Sequence, residues 1–288
     1  MLGLTVTSTP SQLRDVVALR LEATIAMLVL GCMVGRGTWL PRRARAVFYR
    51  AVIVGVVVAS YLMLRDALPL IQPGSADAAL DAVDRAIFGV RPTLWLEPRM
   101  SPRVVEYFSF FYLSYFALCA LLAAVALGPQ ASREASAEFT VGTSLVYGLG
   151  QLGYVAVPGF GPAHHLEAVY RAPLPGGLLW RSVLGAVETA GAEKDIFPSL
   201  HAGAAVWFAL FVARRAHRTG ALGWRLFAVC TAIFAVHIAI STVVLRWHYT
   251  VDVVAGCLLG LAAAFLAPRL VAYEQRIRAA RRLAPAWD

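Results

Sequence analysis

The sequence predicts an all-α integral membrane protein, a bundle of six to seven transmembrane helices with one short interfacial helix. Three observations carry this. The 288 residues are 59% hydrophobic and only 15% charged, whereas soluble domains run near half apolar with about a quarter charged. The apolar residues gather in separate runs long enough to cross a bilayer, which takes roughly 20 helical residues. Between the runs lie arginine clusters, the mark of cytoplasmic loops. A chain of this length makes one bundle. The division that follows is a polar segment over 1–15, a single transmembrane domain over 16–268 with its core at about 104–268, and a basic cytoplasmic tail over 269–288.

The net charge of +9 is carried almost wholly by arginine, Lys194 being the only lysine. In such a chain positive charge points to anionic lipid and cytoplasmic loops. Nucleic acid is not an expected partner, because the arginines fall between apolar runs and form no basic domain. Cys32, Cys119, Cys230 and Cys257 all lie inside apolar runs and read as reduced packing residues.

The first run, Val16 to Gly35, lacks a basic start and a small-residue cleavage site, so it reads as a span and not a cleaved signal. Arg20 and Glu22 in its first turns snorkel or face other helices. Arg36, Arg42, Arg43, Arg45 and Arg50 follow, and a second span runs from about Val47 to Leu64. After Pro73-Gly74, Ser75 caps a short helix. Its Leu80, Val83 and Ile87 form an apolar stripe and its Asp77, Asp81 and Asp84 stay in water, the pattern of an interfacial helix ended by Gly89. The third span, about Val104 to Leu127, is rich in aromatics that pack or anchor. The fourth, about Phe139 to Val157, holds Gly142, Gly148, Gly150 and Gly153, which allow close helix approach. A long Pro- and Gly-rich loop over 158–197 shows no strong periodicity, and loops of that length are usually functional or disordered. The fifth span starts at Pro198, the sixth covers about Trp224 to Val244, and the seventh about Tyr249 to Leu266.

Arginine clusters after spans one, five and seven must share a side. Seven spans put the C-terminus in the cytoplasm and the N-terminus outside; six, without the first run, put both ends inside. Either way the Pro198 and His248 ends share the outer surface.

Those ends carry the candidate chemistry. Pro198 suits the first position of a helix. Ser199 and His201 then lie in its first turn, where free N–H groups favour an anion. His248 and Asp252 are i and i+4 at another helix start, so they share a face. A carboxylate there holds one imidazole nitrogen and leaves the other as nucleophile or base. Two imidazoles at one pocket, one backed by an acid, suit in-line phosphoryl transfer. Candidate donors to the phosphate oxygens are Ser199, the N–H groups after Pro198, Arg246, Lys194 and Arg171. Asp195 is placed either to cap the fifth span or to hold Arg246. His164 and His165 are loop residues within reach of a headgroup. His237, deep in the sixth span, lies one turn from Ser241 and reads as its hydrogen-bonding support. Trp247 and Tyr249 read as interfacial anchors.

Two segments carry a resemblance. Phe197-Pro-Ser-Leu-His201 and Ser241-Thr-Val-Val-Leu-Arg-Trp-His248-Tyr-Thr-Val-Asp252 resemble the second and third signature motifs of the type 2 phosphatidic acid phosphatase superfamily. Leu200 and the Ser-Thr start resemble the branch that contains inositol phosphorylceramide synthases and related bacterial proteins. The resemblance implies that His201 is the acid/base, His248 the phosphohistidine nucleophile and Asp252 the orienting acid. It also implies no cofactor and no metal requirement, a phospholipid donor and a lipid alcohol acceptor as partners, and a bacterial inner membrane with the site facing outward. The chain departs from the phosphatase branch in two places. The first motif, with its Lys and Arg-Pro, has only the cation-free Pro158-Gly-Phe-Gly-Pro162 as positional counterpart, and Thr242 stands where that branch has Arg. Fewer cations suit a phosphodiester, with one negative charge, better than a phosphomonoester. The expected activity is therefore transfer of a phosphorylated headgroup from a phospholipid to a lipid hydroxyl. The alternatives are a lipid phosphate phosphatase acting on phosphatidate or an isoprenyl pyrophosphate and, ranked below both, a non-catalytic lipid-binding or transport protein, which would need broken helices at the bilayer midplane.

Overall fold

The computed structural model describes residues 10–36, 41–128, 130–191 and 194–283. Its helices are α1 (Pro10–Arg36), α2 (Arg42–Ile71), α3 (Asp77–Phe88), α4 (Pro92–Leu96), α5 (Pro102–Leu127), α6 (Arg133–Ala156), α7 (Pro162–His165), α8 (Leu178–Ala190), α9 (Leu200–Thr219), α10 (Leu222–Val244) and α11 (Thr250–Ala280). No strand forms among the described residues; Gly159 and Asp195 make one isolated parallel bridge. The fold is an all-α integral membrane bundle. Helices α1, α2, α5, α10 and α11 are long and apolar enough to cross a bilayer. Helices α6 and α9 are long enough by rise, at 24 and 20 residues, since 1.5 Å per residue brings 20 residues to about 30 Å. They are the interior helices and carry Glu134, Glu138, Arg214, Arg215 and Arg218 near one end. The apolar surface is on the outside: Leu226, Val229, Ile233 and Val236 of α10 and Leu258, Leu261 and Phe265 of α11 are all exposed.

Helix starts follow local chemistry. Ser101 caps α5 by accepting the Val104 N–H, with Pro102 in the first turn. Ser132 caps α6 by accepting the Ala135 N–H. These hydroxyls satisfy donors that a helix leaves free at its start.

The core is built around α9, whose Trp207, Phe208, Phe211 and Val212 are fully or almost fully buried. Small residues let α6 and α11 approach it. A Cβ at Gly142 would lie 2.2 Å from the Trp207 ring, one at Gly150 2.3 Å from Leu200, and one at Gly153 2.4 Å from Pro198. Gly148 meets nothing within 4 Å and plays no such part. On the other flank, a Cβ at Gly256 would lie 2.2 Å from the Ser199 carbonyl oxygen, and one at Gly260 2.3 Å from the Gly203 carbonyl oxygen. This packing holds the starts of α9 and α11 together.

Three expectations change. The 158–197 loop contains α7 and the 13-residue α8. Glu106 of α5 organises the start of α8 by accepting N–H groups from Gly177, Leu179 and Trp180 at 2.8–3.0 Å; that cap comes from a distant residue, so local pattern did not mark it. Helix α3 is turned over. Asp77, Asp81 and Asp84 are 2–3% exposed, while Val83 and Ile87 are 41% and 63% exposed. The aspartates go inside because buried N–H, guanidinium and hydroxyl donors await them. The apolar pair then faces outward, as an interfacial helix allows. Lastly, α11 runs on past Leu266, through Pro268, to Ala280, so the basic tail begins as helix; 284–288, like 1–9, lie outside the described residues.

Candidate active site

The site forms where the starts of α9 and α11 meet the ends of α6 and α10. Pro198 precedes the cap and does not occupy the first helical position. Ser199 is the cap, its hydroxyl oxygen accepting the Ala202 N–H at 3.4 Å. The Ser199 N–H donates to the Asp252 carbonyl at 3.0 Å, which ties α9 to α11. Ser199 is fully buried, so its described role is structural.

His201 follows in the first turn of α9. Its ring stacks on Tyr112 at 4.6 Å and lies 4.3 Å from the ring of Tyr115, both from α5, with the edge of Phe116 at 6.1 Å. The Tyr115 hydroxyl is hydrogen-bonded to that of Tyr147 at 2.6 Å. Held this way, the His201 imidazole faces that of His248, ring centroids 6.3 Å apart. The His201 Nε2 is buried without a hydrogen-bond partner.

The loop that carries His248 is short and tightly tied. Arg246 ends α10 with φ at 68°, in the left-handed region. The Trp247 and His248 N–H groups both donate to the Thr242 carbonyl, at 2.9 and 3.1 Å. The Ser241 and Thr242 hydroxyls bond back to Ile238 and Ala239 of their own helix. Gly161, at φ 89°, lies under this loop; a Cβ there would lie 2.4 Å from the Trp247 carbonyl oxygen. Behind the imidazole, Asp252 is fully buried and its Oδ2 is 3.6 Å from His248 Nδ1. That is an ion-pair distance; contacts in catalytic pairs often tighten only when substrate binds. Asp252 Oδ2 also accepts the Tyr249 N–H at 2.9 Å, which fixes the carboxylate. Its Oδ1 and His248 Nδ1 are both buried without hydrogen-bond partners.

Two of the three cations expected at the phosphate, Lys194 and Arg246, are engaged elsewhere. Lys194 Nζ donates to the carbonyls of Gln72, Pro73 and Gly74 at 2.7, 3.1 and 3.0 Å, which uses all three of its donors. Arg246 pairs with Glu97 at 3.1 Å, donates to the Ala172 carbonyl at 3.1 Å, and covers the Tyr170 ring at 3.6 Å. Burial holds the pKa of this guanidinium below its ordinary value, against the opposing pull of Tyr170 and Glu97, and Glu97 is the acid that pairs with it. The Arg171 side chain is exposed, and its backbone N–H donates to Glu97.

The remaining candidates are also placed. Asp195 accepts the Tyr61 hydroxyl at 2.5 Å, while Ser199 is the α9 cap and Glu97 the acid on Arg246. His164 and His165 are exposed, His164 stacking on Phe160 at 4.7 Å. His237 bonds to the Ile233 carbonyl and stacks on Phe111 at 4.3 Å; it does not support Ser241, which bonds within α10. Trp247 and Tyr249 are not exposed anchors. Tyr249 is 2% exposed and donates to Asp77 at 3.1 Å, and Trp247 packs between Tyr112 and Trp180. Large rings in a short link between two helices are buried by what packs over it: Tyr112 and Trp180 cover Trp247, and Leu80, Ile196 and Phe197 cover Tyr249.

Sequence reasoning missed Asp84, which accepts the Thr250 and Val251 N–H groups just after His248, Asp77, which accepts the Tyr249 hydroxyl and the Phe160 and Gly161 N–H groups, and Tyr112 and Tyr115, which frame His201. One signal was available for the aspartates. Helix α11 starts at Thr250 with Tyr249 in the cap position, a residue type that rarely caps, so an acid from elsewhere was due.

Comparison with known proteins gives one match. The family model described as the PAP2 superfamily covers residues 78–266, well over half of the chain. No curated protein and no solved structure matches.

Proposed function

The chain belongs to the PAP2 superfamily, and we propose that within it the protein is a membrane lipid phosphotransferase, moving a phosphorylated headgroup from a phospholipid to a lipid hydroxyl. Membership supports phosphatase or phosphotransferase chemistry on phosphate esters. The observation that carries the proposal is the pair of facing imidazoles, 6.3 Å between centroids, with Asp252 behind His248.

The reaction is two in-line displacements. The His248 nitrogen remote from Asp252 attacks phosphorus. The phosphorus–oxygen bond to the donor's diacylglycerol breaks, and His201 gives the leaving oxygen its proton. Asp252 offsets the positive charge on the phosphorylated imidazole. The acceptor hydroxyl then loses its proton to His201 and attacks phosphorus, and the nitrogen–phosphorus bond breaks. Each displacement is positioning and charge stabilisation more than covalent work by the protein. We propose that it proceeds without a metal ion.

The engaged cations favour transfer from a phosphodiester. Lys194 has no donor to offer, and Arg246 already faces Glu97. A doubly charged phosphomonoester needs more compensation than that; a singly charged diester needs less. The rival reading is a lipid phosphate phosphatase, in which water takes the acceptor's place.

Purified protein with headgroup-labelled phospholipid, with and without diacylglycerol or ceramide, tests this. Transfer of label to the added alcohol, insensitive to chelator, is the expected result. Release of free phosphate from phosphatidate with no transfer would replace this reading with the phosphatase. His201→Ala and His248→Ala should each lower the rate by at least 10²-fold, within the ~10²–10⁴-fold that positioned acid–base groups contribute.

A further inference from the structure

Helix α3 makes three hydrogen bonds to the residues that follow His248 and two to the 160–161 segment that lies beneath the residue before it. Asp84 Oδ2 accepts the Thr250 N–H at 2.8 Å and Oδ1 accepts the Val251 N–H at 2.9 Å. Asp77 Oδ1 accepts the Tyr249 hydroxyl at 3.1 Å and the Gly161 N–H at 2.8 Å, and its Oδ2 accepts the Phe160 N–H at 2.8 Å. Gly161 in turn lies directly beneath the Trp247 carbonyl. The residue before His248 is thus braced by a segment that Asp77 holds. The residue after it is held by Asp77 itself, and the next two by Asp84. A third acid, Asp81, anchors α3 through a bidentate pair with Arg91 at 2.9–3.2 Å.

Burying carboxylates is costly unless donors meet them, and the donors to Asp84 are backbone groups just after His248. The Thr250 and Val251 N–H groups belong to the first turn of α11, where no intrahelical acceptor exists. Bidentate acceptance by Asp84 leaves that turn few degrees of freedom. It also places a negative charge at the positive end of α11.

We infer that α3 is a positioning element for the nucleophile, with Asp84 and Asp77 setting the orientation of His248 through the backbone. The inference rests on the reading of His248 as the reacting group. Asp84 and Asp77 are positioning residues, since their bonds go to backbone N–H groups and a tyrosine hydroxyl. A misplacement of about 1 Å can cost on the order of 10²-fold in rate, and the loss belongs in kcat because substrate contacts are untouched.

The test is steady-state transfer by full-length Asp84→Asn, whose amide oxygen still accepts one N–H, beside wild type and His248→Ala, with thermal unfolding of each. The expected result is a kcat lowered by about 10–10²-fold, KM within about twofold, and an unfolding midpoint close to wild type. Wild-type kcat in a folded Asp84→Asn, with His248→Ala inactive, would overturn the inference. So would a kcat that falls only in proportion to the folded fraction. Activity surviving in His248→Ala would instead overturn the functional reading beneath it. Should Asp84→Asn not fold, Asp84→Glu, which keeps the charge but shifts the carboxylate by one methylene, is read by the same split.

Discussion

Lys194 and Asp84 exchanged the roles their residue types suggest. A lone lysine beside the Phe197–His201 motif reads as a phosphate ligand; here its ammonium knits the 72–74 turn to the 194–195 segment through three carbonyls. An aspartate on an amphipathic helix reads as solvated; here Asp84 is buried and caps the start of α11. The two imidazoles and Asp252 were legible because i,i+4 spacing at a helix start is local geometry. The engagement of Lys194 and Asp84 was not, because their partners lie more than a hundred residues away. Two predictions sit at this scale. Lys194→Met takes the shared donor from three carbonyls of the 72–74 turn, each hydrogen bond contributing about 0.5–1.5 kcal/mol net; the unfolding midpoint should fall while KM for phospholipid holds. Asp252→Asn keeps the shape but removes the charge behind His248, and kcat should fall by about 10²-fold or more, measured in the transfer assay; a wild-type kcat would remove Asp252 from the chemistry.

At the scale of elements, the site depends on how closely α9 and α11 pass. A methyl group at Gly256 meets the Ser199 carbonyl at 2.2 Å, so Gly256→Ala must push the two helix starts apart. Such overpacking costs about 1–3 kcal/mol, and the separation falls directly on His201 and His248. Activity should drop by more than the loss of folded protein, as read by assay and thermal unfolding together. Gly148→Ala, with nothing within 4 Å, is the matched control and should be neutral. The glycines of α6 announced close approach in the sequence, and three of the four make it. Those of α11 sit in an evenly apolar run where no period marks a face. The same device recurs at the starts of α8 and α11. In each, an acid from another helix, Glu106 or Asp84, takes the free N–H groups, and local pattern cannot reveal a cap that comes from elsewhere.

Across the whole molecule, charge is sorted to two poles. His201, His248, α3, α4, α7 and α8 gather at one end of the bundle. Arg214 and Arg218 meet the buried Glu138 at the other, where the Arg218 contact is 2.9 Å. That several apolar helices span was readable from the apolar runs, and α3 from its stripe; α4 and α7 were not, being five and four residues long, nor was α8, whose start is capped by the distant Glu106. From the arginine clusters we propose an orientation with the Arg276 end of the bundle in the cytoplasm. In a protein whose four cysteines are replaced by alanine, Arg171→Cys should react with an impermeant thiol reagent from outside the cell and Arg276→Cys should not; the reverse pattern would invert the orientation. The central claim is a covalent relay through His248, and stereochemistry at phosphorus tests it most directly. With a donor chiral at phosphorus, two in-line displacements predict net retention in the transferred product. Inversion would mean a single direct displacement and would contradict the account.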